Sequence, residues 1–167
     1  MALARTWAIA LTGVDAHLVE IEADSAPGIP GVTFTGLADT SVVESRDRIR
    51  AAVFNSQAKW PNRRMTVAML PADVRKVGSR FDLAVAMALL ACSDQVPAQS
   101  IDGAAWIAEL GLDGRLRSVR GVLPSVVRAR ELGVKRVVVA EGNGAEAALV
   151  PGLDVRSRTT SVRSSPG

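Results

Sequence analysis

The sequence from Arg63 to Leu90 constrains the fold most, because it reads as a strand, a basic loop and a buried helix in direct succession. Residues 65–70 are apolar apart from one threonine and too few for an independent helix, which predicts a strand. Pro71 ends that strand, since proline has no amide hydrogen to give a sheet. From Phe81 the sequence FDLAVAMALLAC is apolar almost all round, which is typical of a helix buried on most of its surface.

The loop between this strand and helix is the candidate functional loop, because a strand and a core helix hold it at both ends. Loops on rigid scaffolds are where binding and catalytic residues concentrate. Gly78 gives the loop a backbone freedom that other residues lack. Its polar residues are Asp73, Arg75, Lys76, Ser79 and Arg80.

Charge is distributed unevenly along the chain. Residues 1–45 have a net charge of −5, residues 46–80 hold nine Arg or Lys against two acids for a net charge of +7, and the rest has +1. A basic segment of this kind can bind phosphates. The alternative is that these are solvated faces whose arginines pair locally, Arg46 and Arg50 with Asp47 or Glu44, and Arg75 with Asp73 or Asp82. The candidate phosphate contacts are Arg46, Arg50, Arg63, Arg64, Arg75, Lys76 and Arg80.

The remaining pattern predicts one mixed α/β domain. Strands are predicted at residues 7–11, 16–21 and 32–35, the first two as a hairpin, followed by a helix through residues 42–54 with Asp39 as an N-cap. That helix is expected to bury Val42, Val43, Ile49, Val53 and Phe54 on one face. Beyond the central helix, strands and helices alternate. This order favours a two-layer α/β sandwich with a mixed sheet.

Several kinds of site are excluded or weakened by the residues themselves. No Gly-Lys pair occurs, so the sequence has no nucleotide-binding P-loop. One His and one Cys cannot supply a zinc site, and no metal site is expected. Lys76 and Ser79 are close enough to suggest a Ser-Lys hydrolase, but a lysine exposed in a polar loop stays charged and cannot accept a proton.

Three segments carry a family resemblance: PGIPGVTFTGLADTSVVESRDRIRAAVFNS, PNRRMTVAMLPADVRKVGSRFDLAVAMALL and IAELGLDGRLRSVRGVLPSVVRAREL. In this order they resemble the amino-terminal domain of the YifB/ComM proteins, bacterial magnesium-chelatase-like AAA+ ATPases. GNGAEAALVPGLDV is similar to the end of that domain. The resemblance covers residues 5–156. It implies an accessory domain over residues 1–156 and a polar, disordered tail or linker over residues 157–167.

The resemblance also implies a fold and a context. The fold would be that of ribosomal protein S5 domain 2, shared with the proteolytic domain of Lon. The chain would be a fragment or truncated form of a longer cytoplasmic ATPase, with ATP and magnesium bound in the missing motor domain and no cofactor in this one. ComM is described as a DNA helicase for branch migration in natural transformation. The expected partners are therefore DNA, the protein's own AAA+ domain and further copies of itself, with no membrane.

The resemblance to Lon allows the hydrolase hypothesis to be examined residue by residue. When KVGSRFD is aligned with the Lon serine motif, Arg80 falls at the position of the catalytic serine, and Ser79 lies one position early. Over VRGVLP, the Lon lysine position falls at Leu123. Both positions of a Lon-type dyad are therefore lost. We accordingly expect a non-catalytic accessory domain that assists DNA binding or oligomer assembly, with a pure protein-interaction module and a Ser-Lys peptidase as the alternatives.

Overall fold

The computed structural model describes residues 2–159, and these form nine strands and six α-helices. The strands are β1 (Ala2–Thr12), β2 (Asp15–Ala26), β3 (Gly31–Thr35), β4 (Arg64–Leu70), β5 (Ala104–Ile107), β6 (Glu109–Leu110), β7 (Leu116–Arg117), β8 (Arg136–Ala140) and β9 (Asp154–Arg158). The helices are α1 (Thr40–Val43), α2 (Ser45–Asn55), α3 (Asp82–Cys92), α4 (Ala98–Ile101), α5 (Val122–Glu131) and α6 (Gly144–Ala147). The three initial strands followed by a mixture of helices and strands are as predicted.

Seven of these strands form one mixed sheet in the order β3-β4-β2-β1-β5-β8-β9. The neighbours β1/β2 and β2/β4 are antiparallel, and the other four pairs are parallel. β6 and β7 form a separate two-stranded ribbon. The mixed α/β architecture expected from the sequence is confirmed.

The first two strands form the predicted hairpin but extend further than their apolar runs suggested. Thr12 pairs with Asp15 across the turn, and the register continues as far as Ala2 opposite Ser25. Val19 and Ile21 are buried on one face of the sheet while Leu18 and Glu20 point to the other. The polar outer face at the far end of the hairpin hid that part of both strands from the sequence pattern.

Apolar residues pack on both faces of the sheet. The larger cluster joins one face to α3 and to α1, α2 and α4. A smaller cluster lies on the opposite face, under α5 and α6, and includes Ile9, Ile107 and Val126. Successive residues of β1, β5 and β8 alternate between the two clusters, as the two-residue period of a strand requires.

α3 is the central element of the larger cluster. All eleven of its residues are buried, which confirms the helix predicted from its uniform apolarity. It packs on β1, β2 and β5, and the Thr6 hydroxyl of β1 donates to the Ala84 carbonyl at 2.9 Å. The strand before the loop is also confirmed, as β4. The β4–α3 loop, residues 71–81, therefore begins and ends on core elements.

Two predictions about elements were wrong in part. The single helix expected over residues 42–54 is divided at Glu44 into α1 and α2, although Asp39 does cap the first of them. Phe54 is 76% exposed, because the buried stripe of α2 runs through Ser45, Ile49 and Ala52–Val53 and leaves residue 54 beside it.

The predicted boundary at residue 156 also differs from the structure. β9 continues through Arg158, and the Thr159 carbonyl accepts a hydrogen bond from Leu116 N at 3.2 Å. The first residues assigned to a disordered tail are thus part of the sheet edge. The rest of that prediction, residues 160–167, lies outside the described residues.

Candidate functional site

Five of the seven candidate phosphate contacts lie at the two ends of β4, and the other two, Arg46 and Arg50, lie on α2. Arg63 and Arg64 lie at the start of β4, and Arg75, Lys76 and Arg80 lie in the loop that follows its end. A strand of seven residues spans about 20 Å, so these two groups cannot contact one small ligand together. The two groups therefore form separate surfaces.

Lys76 is completely buried, which contradicts the expectation that it is an exposed loop residue. Its Nζ donates to the carbonyl oxygens of Gly36 at 2.6 Å, Met69 at 2.9 Å and Pro71. Burial lowers the pKa of the amine, and the charge of Asp73 opposes that shift. With its ammonium group enclosed by the protein, Lys76 is not available to a phosphate.

The carbonyls around Lys76 belong to two segments that are far apart in sequence. Gly36 follows β3, while Met69 and Pro71 surround the end of β4. Gly36 allows the close approach, since a Cβ there would lie 2.0 Å from the Met69 oxygen, and its φ of +95° suits glycine. Backbone bonds add to the contact: Lys76 N donates to Leu37 O, and Asp39 N donates to Lys76 O.

Arg75 pairs with Asp39, the N-cap residue of α1. Its Nη2 lies 2.6 Å from Asp39 Oδ2, so neither Asp73 nor Asp82 is its partner. Asp39 also accepts from Ser41 N and Ser41 Oγ, and Ser41 Oγ accepts from Gly78 N. The Ser41 amide, followed by Arg75, lowers the pKa of Asp39 to about 2. The turn around Gly78 is thus joined to α1 through side chains.

Arg80 reaches across to the start of α5. Its Nη2 donates to Ser125 Oγ at 2.6 Å and its Nη1 donates to the Arg120 carbonyl at 3.3 Å. Its Nε is buried without a hydrogen-bond partner among the described residues. Burial lowers the pKa of this guanidinium to about 10.

Ser79 and Lys76 do not form a dyad. The Ser79 hydroxyl donates to Glu109 Oε2, and the Lys76 amine is occupied by its three carbonyls. A lysine can activate a serine only when its amine is within hydrogen-bond reach of the hydroxyl. The geometry therefore contradicts the Ser-Lys peptidase alternative at these two residues.

Sequence reasoning missed the ion pair between Arg48 and Asp82. Arg48 Nε and Nη2 donate to the two oxygens of Asp82 at 2.9 and 3.0 Å, and Leu110 N donates to the same carboxylate at 3.1 Å. Burial raises the pKa of Asp82 to about 6, although Arg48 opposes the shift. The available signal was an acid at the first position of an otherwise apolar helix, since a buried carboxylate needs a partner.

We call Arg46, Arg50, Arg63 and Arg64 the arginine patch. Arg63 and Arg64 lie at the start of β4, and Arg46 reaches the neighbouring strand β3 there. Arg46 Nη1 donates to Val32 O at 2.9 Å, and Val32 is paired with Met65, the neighbour of Arg64. Arg50 lies one turn after Arg46 on α2. All four side chains are exposed, and among residues 2–159 none of them forms an ion pair with a carboxylate.

Within the described part of the chain, no group of three or more His, Cys, Asp or Glu side chains is placed to hold a metal ion. His17 is half-buried on β2. Asn143 is buried, and its amide exchanges two hydrogen bonds with the backbone of Val119, so the Gly-Asn-Gly turn serves to join two segments.

A family model described as subunit ChlI of Mg-chelatase matches residues 21–143. The chain belongs to this family. Similar ChlI-family relatives include an uncharacterized protein of Mycobacterium tuberculosis, 47% identical over 160 residues, which are 96% of this chain and 32% of the relative. The competence protein ComM of Haemophilus influenzae is 43% identical over 150 residues, 90% of this chain and 29% of its own length. The YifB protein of Escherichia coli is 39% identical over 152 residues, 91% of this chain and 30% of its own length. The resemblance to the YifB/ComM proteins is confirmed.

The ChlI-family chain spans about a third of the length of the curated relatives it matches. The matched residues 21–143 include the β4–α3 loop and all four members of the arginine patch. Among the residues that the structure describes, no helix has the length and apolar composition needed to cross a membrane.

Proposed function

We propose that this chain is a non-catalytic accessory domain of a larger ChlI-family protein, and that it contacts the phosphates of DNA through the arginine patch. The observation that supports this most directly is the set of four exposed arginines that have no carboxylate partner within residues 2–159. Arginine suits the role because its planar group binds phosphate oxygens with two hydrogen bonds at once. A relative of similar sequence has the name of a competence protein, which is compatible with work on DNA.

The structure changes which cations belong in this proposal. Lys76 is enclosed, Arg75 is paired with Asp39, and Arg80 is turned towards α5, so these three are omitted from the DNA contact. Arg46 keeps a place, because its bond to a backbone carbonyl uses only one of its five donor hydrogens.

The test is binding of a fluorescent DNA duplex to this chain, measured by anisotropy over a range of salt concentrations. The log of the binding constant should fall linearly with the log of salt concentration. The double variant Arg63→Gln/Arg64→Gln should weaken binding at low salt by roughly tenfold or more, and should reduce the salt slope by about two.

The matched control is Arg130→Gln/Lys135→Gln. It removes the same charge from two exposed residues on the α5 side of the molecule. We expect its binding to remain within about twofold of the unchanged chain, because contacts at the patch persist. If the control weakens binding as much as the patch variant, attraction by net charge explains the result and the patch is not a site. Absence of binding at low salt would contradict the proposal altogether.

The rest of the functional context is also proposed. The relatives extend over about three times the length of this chain, and we assign the AAA+ motor, with its ATP and magnesium, to that additional sequence. A cytoplasmic location and assembly of several copies belong to the same proposal. Reading the coding sequence beyond Gly167 tests the motor assignment, since a Gly-Lys-Ser/Thr loop is required there.

A second candidate function is that of an assembly module. Phe54 at the end of α2 is 76% exposed and Leu112 is 60% exposed, and Asn55 Nδ2 donates to Leu112 O at 2.6 Å, which brings the two segments together. Adjacent exposed apolar residues are typical of protein contacts. Sedimentation should then show a concentration-dependent oligomer that Phe54→Asn abolishes and that Leu149→Asn, at another exposed apolar residue, preserves. An unchanged monomer at all concentrations would exclude this module.

A further inference from the structure

Arg80 is a partly buried cation whose hydrogen-bond partners are neutral. Its two terminal nitrogens donate to a serine hydroxyl and a backbone carbonyl, and its Nε is buried without a partner among the described residues. No carboxylate of those residues forms an ion pair with it. A buried charge is usually paired, because its desolvation is otherwise poorly compensated.

Arg80 lies against the amino end of α5, where Leu123 N donates to the Glu146 carboxylate at 2.8 Å. Both partners of Arg80, Arg120 O and Ser125 Oγ, lie at the start of α5, which has ten residues. The amino end of a helix has a partial positive charge. The Glu146 carboxylate offsets this partial charge, and the Arg80 guanidinium is left as a positive charge beside α5 with no carboxylate partner among residues 2–159.

A cleft of about 320 Å³ adjoins this cation. Its polar lining comprises Gly78, Ser79, Arg80, Glu109, Ser118 and Arg120. Glu109 is the only acid among them, and its carboxylate accepts the Ser79 hydroxyl. Among residues 2–159, the Glu109 carboxylate makes no ion pair with Arg80. Two arginines and the Ser118 hydroxyl thus line a space large enough for a small ligand.

We propose that this cleft is a binding site for a compact phosphate group, with Arg80 and Arg120 as its cationic partners and Ser118 as a hydroxyl donor. A phosphate has more acceptor oxygens than a carboxylate and can use donors from both arginines together. This site goes beyond the DNA contact proposed above. The arginine patch lies at the opposite end of β4, so either proposal can fail without the other.

The test is titration of the chain with inorganic phosphate, followed by calorimetry and by amide NMR, with chloride adjusted to hold ionic strength constant. We expect saturable binding, with shifts concentrated at Gly78, Val119 and Arg120. Arg80→Gln and Arg120→Gln should each weaken binding by roughly tenfold, the effect of losing one charge-assisted bond. Glu109→Gln should tighten binding severalfold, since it removes the only like charge from the cleft.

The matched control is Arg117→Gln, an exposed arginine nearby in β7 that does not line the cleft. Its phosphate affinity should stay within about twofold of the unchanged chain. If Arg80→Gln does not fold, Arg120→Gln at an exposed residue decides between the outcomes, and Glu109→Gln gives an independent change in the opposite direction. The proposal is overturned if phosphate has no greater effect than chloride, or if the control variant loses as much affinity as Arg120→Gln.

A competition experiment with DNA distinguishes a DNA phosphate from a free phosphate as the ligand of the cleft. A DNA duplex that displaces bound phosphate from the wild-type chain and from the Arg63→Gln/Arg64→Gln variant indicates that the DNA backbone occupies the cleft. A duplex that leaves phosphate bound indicates free phosphate or a small phosphomonoester. Either result supports a phosphate site once the saturable, Arg120-dependent binding has been observed.

Discussion

The two ends of β4 hold the same residue types in opposite states. At the start of the strand, Arg63 and Arg64 are exposed and have no ion-pair partner among the described residues. After its end, Lys76 is enclosed by three carbonyls and Arg75 is paired with Asp39. One end holds charge that is available to a ligand, and the other uses charge to join α1 to the β4–α3 loop. The charges of one basic segment in a sequence can therefore divide into some that hold the fold together and others that stay exposed.

The first prediction concerns Lys76→Met, which tests whether the buried charge after the end of β4 stabilises the fold. Methionine is of similar length but cannot donate, so the carbonyls of Gly36, Met69 and Pro71 lose a shared partner inside the protein. We expect the free energy of unfolding to fall by about 3 kcal/mol, because three hydrogen bonds from a charged amine are lost, each contributing roughly 1 kcal/mol or more, and the Met69 carbonyl is left buried without a partner. Urea unfolding at pH 7 measures this decrease in the free energy of unfolding.

The neighbouring variant Arg75→Met provides the comparison for Lys76→Met. Arg75 is exposed, and an exposed ion pair contributes about 0 to 1 kcal/mol. If the two variants destabilise the chain equally, burial of Lys76 has no special role and the contrast between the two ends of β4 is wrong.

The second prediction concerns Arg48→Met, which removes the partner of the Asp82 carboxylate. A buried carboxylate without its arginine should cost about 3 kcal/mol at pH 7, and less if solvent reaches the site through the gap. Arg48 lowers the pKa of Asp82, so the pKa of this carboxyl is higher in the variant, and the loss should shrink as the pH falls from 7 towards 6 because the variant takes up the proton first. Arg50→Met, on the same helix with an exposed side chain, should change stability by less than about 0.5 kcal/mol at either pH.

The contrast between the two ends also explains how much the sequence could predict. Local periodicity depends only on consecutive residues, and it predicts the strand β4, the buried helix α3 and the hairpin. It does not predict the burial of Lys76, because the three acceptors of Lys76 come from residues 36, 69 and 71 and meet it only in the folded chain. The same holds for Arg48 and Asp82, and for the orientation of Arg80 towards α5. The arginine patch was predictable as a basic segment, but its separation from the loop required the sheet register.

The third prediction uses two carboxyls whose pKa values move in opposite directions. Asp39 has a pKa of about 2 in the folded chain, below its usual value of 3.8, so its contribution to stability is present above pH 3.8 and is lost as the pH falls towards 2. Asp82 has a pKa of about 6, so between pH 3.8 and 6 the folded state holds a proton that the unfolded state lacks, and its contribution falls as the pH rises.

Substitution of each carboxyl separates its effect on the pH dependence of the free energy of unfolding. Asp39→Asn keeps a capping side chain but removes the charge, so its deficit in unfolding free energy should be present at pH 5 and should narrow as the pH falls to 2. Asp82→Asn should instead remove the decline in stability between pH 4 and 6. Urea midpoints at pH 2, 3, 4, 5 and 6 measure both. A deficit of Asp39→Asn that is constant over this range would contradict the assigned pKa.

The smallest expected effect is on stability at the other end of β4. Arg63→Gln/Arg64→Gln should change the free energy of unfolding by less than about 0.5 kcal/mol, since surface substitutions away from caps and buried pairs seldom do more. Arg64 packs its aliphatic stem near Gly28, and glutamine retains part of that contact. The same variant should weaken DNA binding. Substitutions at the start of β4 would then change binding without changing stability, whereas substitution of Lys76 after its end would change stability. A loss above about 1 kcal/mol would mean that these arginines also hold the fold, and the distinction between the two ends of the strand would disappear.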